Sequence, residues 1–106
     1  MKPLDLLTDT HSLLGDRIRL AIMAAIAASP EPVSFSTLLE TLQLTKGNLS
    51  THIRRLEEAG LVTVKKSFFE RKPLTTYRCT ALGRREVKLY LEKVESLLRS
   101  SMEKKP

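Results

Sequence analysis

The feature that most constrains the fold is a pair of short amphipathic stretches with almost no linker between them. Ser34 precedes the first stretch, and a serine at that position can accept a hydrogen bond from a free amide at a helix start. Thr45 can cap the second stretch in the same way. The second stretch ends at Gly60, which tolerates the left-handed conformation common at helix ends. The pattern predicts helices over 34–43 and 45–59, joined by a tight turn.

A longer apolar stretch precedes this pair. Its hydrophobic residues recur at intervals of three and four, which is the spacing of one helix face. The pattern predicts a first helix over 13–29, ended by Pro30 and Pro32 because proline cannot continue a helix. This helix and the following pair would form a three-helix core. The residues on its predicted buried face are Leu14, Ile18, Ile22, Ala25 and Ile26.

Two β-prone stretches follow the helix pair. The stretch 61–66 alternates apolar and polar residues, and the stretch 74–79 contains two threonines and a tyrosine. We expect a β-hairpin over 61–79, with at least one of Phe68 and Phe69 packed beneath its loop. A hairpin directly after a helix-turn-helix defines the winged helix, in which the loop projects as a basic wing beside nucleic acid. The predicted fold is therefore α+β and mostly α, with a two- to three-stranded wing.

A long helix is predicted after the hairpin, over 80–102, with Thr80 as its cap. Its apolar residues repeat over two heptads, which is short for a free coiled coil. We therefore expect this helix to mediate a homodimer, packing on its equivalent in the partner or on helix one and the N-terminal leucines. The whole chain, 1–106, is expected to form a single domain. The predicted dimer interface consists of Val87, Tyr90, Leu91, Val94, Leu97 and Leu98.

The charge of the chain favours a polyanionic partner. The formal net charge is +6, and the segment 45–72 alone carries seven basic residues against three acidic ones. Clustered lysine and arginine bind a phosphate backbone by displacing its condensed counterions. A membrane surface would satisfy the charge equally well, so the charge alone leaves both partners open.

Cysteine content and the N-terminal sequence bear on location. Cys79 is the only cysteine, so no intramolecular disulfide can form, and we expect this thiol to be buried. The N-terminal leucines are interrupted by Asp5 and Asp9, unlike the apolar core of a signal peptide. No stretch approaches the roughly 20 apolar residues of a membrane span. The sequence therefore predicts a cytoplasmic protein, associated with the nucleoid and not with a membrane.

The second helix of the pair carries side chains suited to DNA recognition. If Leu49, Ile53 and Leu56 face the core, the polar residues of the first three turns face outward. Arginine pairs well with guanine, asparagine with adenine, and threonine with a phosphate or a thymine methyl group. An ordinary solvated helix face is the alternative for this surface. Together with the basic residues of the wing, the predicted DNA-binding residues are Lys46, Asn48, Ser50, Thr51, Arg54, Arg55, Lys65, Lys66, Arg71 and Lys72.

Catalytic and metal-binding patterns are not found in the sequence. His11, His52 and Cys79 lack the spacing of metal ligands, and a zinc site needs more ligands than these three. No glycine-rich phosphate loop, paired carboxylates or nucleophile arrangement appears. We expect neither an enzyme nor a bound cofactor.

The sequence resembles the winged-helix transcriptional regulators of the MarR and ArsR type. The similarity covers residues 13–97. It is most specific in LTKGNLSTHIRRLEEAGLV, which is followed by a basic wing, a KPLTTY strand and a TALGR helix start. The resemblance implies a homodimer that reads a pseudo-palindromic operator through the DNA-binding residues given above.

Two departures from the family pattern limit what the resemblance implies. The metal-sensing cysteine cluster of many ArsR-type repressors is absent, since Cys79 is the only cysteine. The longer helical dimerisation and ligand-pocket regions of full MarR proteins are mostly missing. A small-molecule effector is therefore left open, without support from the residues.

The leading hypothesis is a sequence-specific repressor that acts as a homodimer on double-stranded DNA. One alternative is a non-specific architectural nucleic-acid-binding protein, which positive charge fits equally well. Another is a protein-interaction module, since winged helices also serve as docking domains. Selection of binding sites from a random pool separates the first two hypotheses. Neutralising the basic residues of helix three and the wing tests the third.

Overall fold

The computed structural model describes residues 13–103. His11, the N-terminal leucines and the polar tail, on which part of the sequence interpretation rests, lie outside the described residues. The predicted winged-helix fold is confirmed, with four helices and a three-stranded antiparallel sheet. The elements in chain order are α1 (Arg17–Ala28), β1 (Val33–Ser34), α2 (Phe35–Leu42), α3 (Lys46–Glu58), β2 (Val62–Phe69), β3 (Lys72–Cys79) and α4 (Ala81–Glu103).

The helix-turn-helix is stabilised by the two caps that the sequence predicts. The Ser34 hydroxyl accepts a hydrogen bond from the amide of Thr37 at 3.0 Å. The Thr45 hydroxyl accepts one from the amide of Asn48 at 3.1 Å. Gly60, just beyond α3, has a φ of 78°, in the left-handed region that favours glycine. These local interactions define where α2 and α3 begin and where the chain turns toward the sheet.

The start of α1 differs from the prediction. The helix begins at Arg17, four residues later than expected, because Asp16 caps it. One carboxylate oxygen of Asp16 accepts hydrogen bonds from the amides of Ile18 at 2.9 Å and Arg19 at 3.1 Å. The hydrogen bond from Arg19 is the main reason that the pKa of Asp16 is lowered. Leu14 precedes the helix yet is buried in the core.

The sheet has the order β1-β3-β2, and the short β1 pairs with β3 through Val33 and Tyr77. Strands β2 and β3 are longer than predicted and leave only Glu70 and Arg71 in the turn. These two residues have φ values of 51° and 68°. Positive φ at both central residues is the signature of a type I′ hairpin turn.

The expectation for the two phenylalanines of the wing was wrong. Phe68 is 75% exposed and Phe69 is 64% exposed, so neither packs beneath the wing. Both lie near the end of β2, where the hairpin extends past the core. The core residues of the sheet, including Val62, Tyr77 and Cys79, all lie nearer its base.

Helix α4 contributes its fully buried residues from its first half, and Val94, further along, is partly buried against the same core. Val87 and Tyr90 are each 8% exposed and contribute to the same hydrophobic cluster as α1 and α3. Gly83, in the first turn of α4, is also buried. The Thr80 hydroxyl caps this helix by accepting a hydrogen bond from the Gly83 amide at 2.9 Å.

Candidate nucleic-acid interface

Helix α3 has one face in the core and one face open to solvent. Leu49, Ile53 and Leu56 are buried, as the helical spacing predicts. Over the first three turns, the opposite face is formed by side chains that can donate hydrogen bonds. Its exposed residues are Lys46, Asn48, Thr51, Arg54 and Arg55, whereas Ser50 is half-buried at the edge.

The exposed face of α3 is chemically asymmetric along the helix. No acidic residue occurs in the first turn, and Glu57 and Glu58 lie in the last turn. Gly47, in the first turn, has no atom within 4 Å of the position that a Cβ would occupy. The N-terminal end of α3 therefore has low bulk and no negative charge, which suits approach to a polyanion.

The basic residues of α3 and the wing are not neutralised by the protein itself. Within residues 13–103, none of the seven basic side chains between Lys46 and Lys72 forms an ion pair with a carboxylate. Their charge is available to phosphates without first breaking an internal ion pair. This property separates the surface from α4, where Arg99 pairs with Glu95.

The wing presents its basic side chains on two faces. Side chains alternate along a strand, so Lys66 shares a face with Val64, whereas Lys65 lies on the other face. Lys72 pairs with Phe69 across the hairpin and shares the face of Lys65. The four predicted wing residues therefore do not form one patch, because Lys66 alone faces α3 and Arg71 lies in the turn.

A cleft of about 290 Å³ lies between α3 and the base of the wing. Arg54 and Lys66 line it from the two elements, so the charges of the helix and the wing meet there. Burial raises the pKa of Tyr77 in the wall of this cleft, and the nearby Glu57 carboxylate adds to the shift. The other residues that line the cleft are Ser50, Ile53, Glu57, Val64 and Tyr77.

Arg19 connects α1 to the helix of the candidate interface, a role that the sequence interpretation missed. Its Nε donates a hydrogen bond to the carbonyl oxygen of Leu13 at 2.7 Å. Its Nη1 lies 3.2 Å from Nδ1 of His52 on α3. His52 is half-buried and faces α1 and not the exposed surface of α3. Only the three-dimensional packing reveals this contact, since 33 residues separate the pair in sequence.

The six residues predicted to form a dimer interface fall into three groups. Val87 and Tyr90 are buried within the protomer, so they are not available to a partner in this conformation. Val94 and Leu97 are half-buried. Leu91 and Leu98 are 51% and 58% exposed. The assignment of Val87 and Tyr90 to a surface is thereby corrected, because the first half of α4 packs on α1 and β3.

Other features of the described region bear on its chemistry. Cys79 is buried as expected, and burial raises the pKa of its thiol. Among residues 13–103, no three histidine, cysteine or acidic side chains come together as metal ligands. No helix in the same range is long and apolar enough to cross a membrane.

Comparison with known proteins agrees with this geometry. A family model described as winged helix DNA-binding domain matches residues 18–98. The uncharacterized protein MJ0432 of Methanocaldococcus jannaschii is 36% identical over 80 residues, which are 76% of this chain and 86% of the relative. The chain therefore belongs to the winged-helix DNA-binding domain family.

Solved structures share the same architecture. A structure described as a transcriptional regulator homologue from Pyrococcus horikoshii has a TM-score of 0.84 and 34% identity, covering 94% of this chain and 97% of that one. The crystal structure of MarR has a TM-score of 0.68 at 22% identity, covering 80% of this chain and 64% of MarR. The fold resembles that of MarR, and at this identity MarR supports the fold alone.

Proposed function

We propose that the chain is a transcriptional regulator and not an enzyme, and that it binds a specific operator in double-stranded DNA. The observation that carries the proposal is the unpaired, carboxylate-free surface formed by the first three turns of α3. Helix α3 enters the major groove, where Asn48, Thr51 and Arg54 read base edges. The solved relative from Pyrococcus horikoshii is described as a transcriptional regulator homologue, which favours this reading.

The remaining predicted residues contact the sugar-phosphate backbone. Lys46, Ser50 and Arg55 flank the reading face of α3, where contacts to phosphate set the position of the helix without conveying sequence. The wing residues Lys65, Lys66, Arg71 and Lys72 follow the backbone beside the adjacent minor groove. Lys66 and Arg54 line the same cleft, so one phosphate strand can lie between the helix and the wing.

The active form in this proposal is a homodimer formed through α4. Leu91, Leu98 and Met102 are exposed and fall within one narrow stripe of the helix at about 100° per residue. Val94 borders that stripe, and Leu97 lies beyond Val94 on the same side. Two α3 helices would then read half-sites roughly 34 to 36 Å apart, in successive major grooves of a pseudo-palindromic operator.

The proposed outcome of binding is repression. A dimer that covers two successive major grooves of a promoter excludes other proteins from the same DNA. The protein acts in the cytoplasm at the nucleoid, where its target lies.

Selection of duplexes from a random pool tests sequence-specific binding. We expect an enriched motif with two-fold symmetry, and we expect Arg54→Ala to weaken binding to that motif and relax the preference at one base pair. Lys88→Ala, an exposed basic residue on α4, is the matched control and leaves affinity unchanged. Binding without any enriched motif would favour the architectural alternative. If a variant in which both Arg54 and Lys66 are replaced by alanine still regulates its target genes fully, the protein-interaction module is favoured.

Sedimentation of two α4 variants tests the dimer separately. Leu98→Glu and Leu91→Glu place a charge in the proposed interface without disturbing the core, since both positions are exposed. We expect each variant to sediment as a monomer and to bind DNA more weakly, because one half-site alone is a weak ligand. A wild-type chain that is monomeric at micromolar concentration would remove the dimer from the proposal.

A further inference from the structure

Two phenylalanines stand exposed at the end of the wing. Phe68 and Phe69 are 75% and 64% exposed and precede the turn formed by Glu70 and Arg71. Burying a phenylalanine side chain is strongly favourable, and nothing in the described part of the chain covers either ring. An apolar pair at the tip of a basic hairpin indicates a contact that forms with a partner.

The two rings point in opposite directions. Phe68 pairs with Pro73 across the hairpin and lies on the same face of β2 as Val64 and Lys66. Phe69 pairs with Lys72 and lies on the opposite face. Because Lys66 lines the cleft beside Arg54, Phe68 is on the side of the wing that faces α3.

The charges around Phe68 favour DNA as the partner. Its face of the wing also carries Lys66, and Arg54 lies across the cleft from that lysine. Two acidic residues are nearby: Glu57 lines the same cleft from the last turn of α3, and Glu70 is in the turn and not on this face. The two cations Arg54 and Lys66 outnumber the single carboxylate of the cleft. Phe68 lies two residues beyond Lys66, which places it about 7 Å further along the strand. If a DNA sugar-phosphate strand lies between Arg54 and Lys66, the edge of the adjacent minor groove comes within reach of Phe68.

We propose that Phe68 makes an apolar contact with DNA, in the minor groove next to the major groove that α3 occupies, and that Phe69 does not. This inference rests on the proposed function. Minor grooves accept apolar side chains, which pack against deoxyribose or wedge between base pairs. The contact adds affinity through burial of an aromatic ring, without neutralising a phosphate.

Phe68→Ala and Phe69→Ala form a matched pair, because the two residues are adjacent, identical and both exposed. Each variant is titrated, as the full chain, with a fluorescein-labelled mixed-sequence duplex and with the duplex enriched by selection, over a range of salt concentrations. We expect Phe68→Ala to lose about tenfold in affinity with an unchanged slope of log affinity against log salt. Lys66→Ala should reduce the magnitude of that slope by about one, which is the contribution of a single phosphate contact.

A second readout reports on the groove itself. A duplex containing 2-aminopurine next to the half-site should change fluorescence when the wild-type chain or Phe69→Ala binds, and change less with Phe68→Ala. Circular dichroism and the melting temperature of both variants should match the wild type, because neither ring is part of the core.

Each other outcome overturns the inference. If Phe68→Ala and Phe69→Ala weaken DNA binding equally, or if neither does, the face of the wing on which a ring lies does not determine its contact with DNA. A Phe68→Ala variant that dissociates into monomers would assign the ring to a contact with a second copy of this chain. If the wild-type chain binds no duplex at all, the proposed function fails as well, whereas normal binding by Phe68→Ala overturns this inference alone.

Discussion

Gly83 lies directly against the carbonyl oxygen of Leu61: a Cβ on Gly83 would come within 2.1 Å of that oxygen. The oxygen is held in place because it accepts a hydrogen bond from the amide of Thr80 at 3.0 Å. We therefore predict that Gly83→Ala lowers the free energy of unfolding by on the order of 3 kcal/mol, through backbone overpacking. Urea denaturation measures the change.

The control for this variant is Gly47→Ala. Gly47 is also in the first turn of a helix, but no atom lies within 4 Å of its Cβ position. We expect this variant to be more stable than the wild type by up to about 1 kcal/mol, because alanine is the better helix former. Similar effects of the two substitutions would contradict the assigned role of Gly83.

The Thr80 hydroxyl joins the end of the helix-turn-helix to the start of α4. It donates a hydrogen bond to the carbonyl oxygen of Gly60 at 2.7 Å and accepts one from the amide of Gly83. Thr80→Val keeps the shape and removes both bonds, so we expect a loss of about 1 to 2 kcal/mol in unfolding free energy. Thr80→Ser keeps both bonds, and its free energy of unfolding should be within about 0.5 kcal/mol of that of the wild type. Equal stability of the valine and serine variants would rule out the role of the hydroxyl.

Asp16 makes the stability of the protein depend on acid pH. Its folded-state pKa lies below the ordinary value of 3.8, chiefly because its carboxylate accepts a hydrogen bond from the Arg19 amide. The stabilisation is therefore complete above 3.8 and is lost as the pH falls through the folded-state pKa. Asp16→Asn keeps an acceptor but does not titrate.

We expect the wild type to be more stable than Asp16→Asn at neutral pH, and expect this difference to shrink in the acid range. Thermal unfolding across a series of acidic buffers gives the comparison. Glu31→Gln, which removes an exposed carboxyl that caps no helix, is the control for loss of a single acidic side chain. A constant difference between wild type and Asp16→Asn would mean that the cap is not the titrating element.

The turn of the wing has an unfavourable backbone conformation, and one of its two residues, Arg71, supplies a positive charge for DNA binding. Glu70 and Arg71 both adopt positive φ, which costs a residue other than glycine or asparagine about 1 kcal/mol. We predict that the double substitution Glu70→Asn with Arg71→Gly raises the melting temperature and weakens DNA binding, since the charge of Arg71 is lost. Glu70→Asn alone should stabilise the hairpin without weakening binding. A melting temperature that falls in the double variant would contradict the turn assignment.

Caps could be predicted from the sequence where they depend on neighbouring residues alone. Ser34, Thr45 and Thr80 each satisfy an amide a few residues away, so α2, α3 and α4 begin where expected. The start of α1 was misplaced because apolar residues at helical spacing continue upstream of Asp16. Leu14 extends that pattern, although it reaches the core from outside the helix.

Properties that depend on which surface covers a residue could not be predicted. Periodicity shows that α4 has an apolar stripe. It does not show that Val87 and Tyr90 are buried against α1, or that Leu98 remains exposed to solvent. The exposure of Phe68 depends on how far the hairpin extends past the core. The contact of Gly83 with Leu61 joins two elements in space, and a glycine near a helix start is its only sequence signal.

Alternation along β2 also restricts how the wing can change in length. Lys66 and Phe68 face α3 because each is an even number of residues from Val62, which is fixed in the core. Inserting one residue into each strand between the core and the tip would invert the wing, turning these side chains to the far side and Phe69 toward α3. Two inserted residues per strand would restore them. A wing grafted from a relative should therefore work only when its strands differ in length by an even number, whatever its sequence similarity.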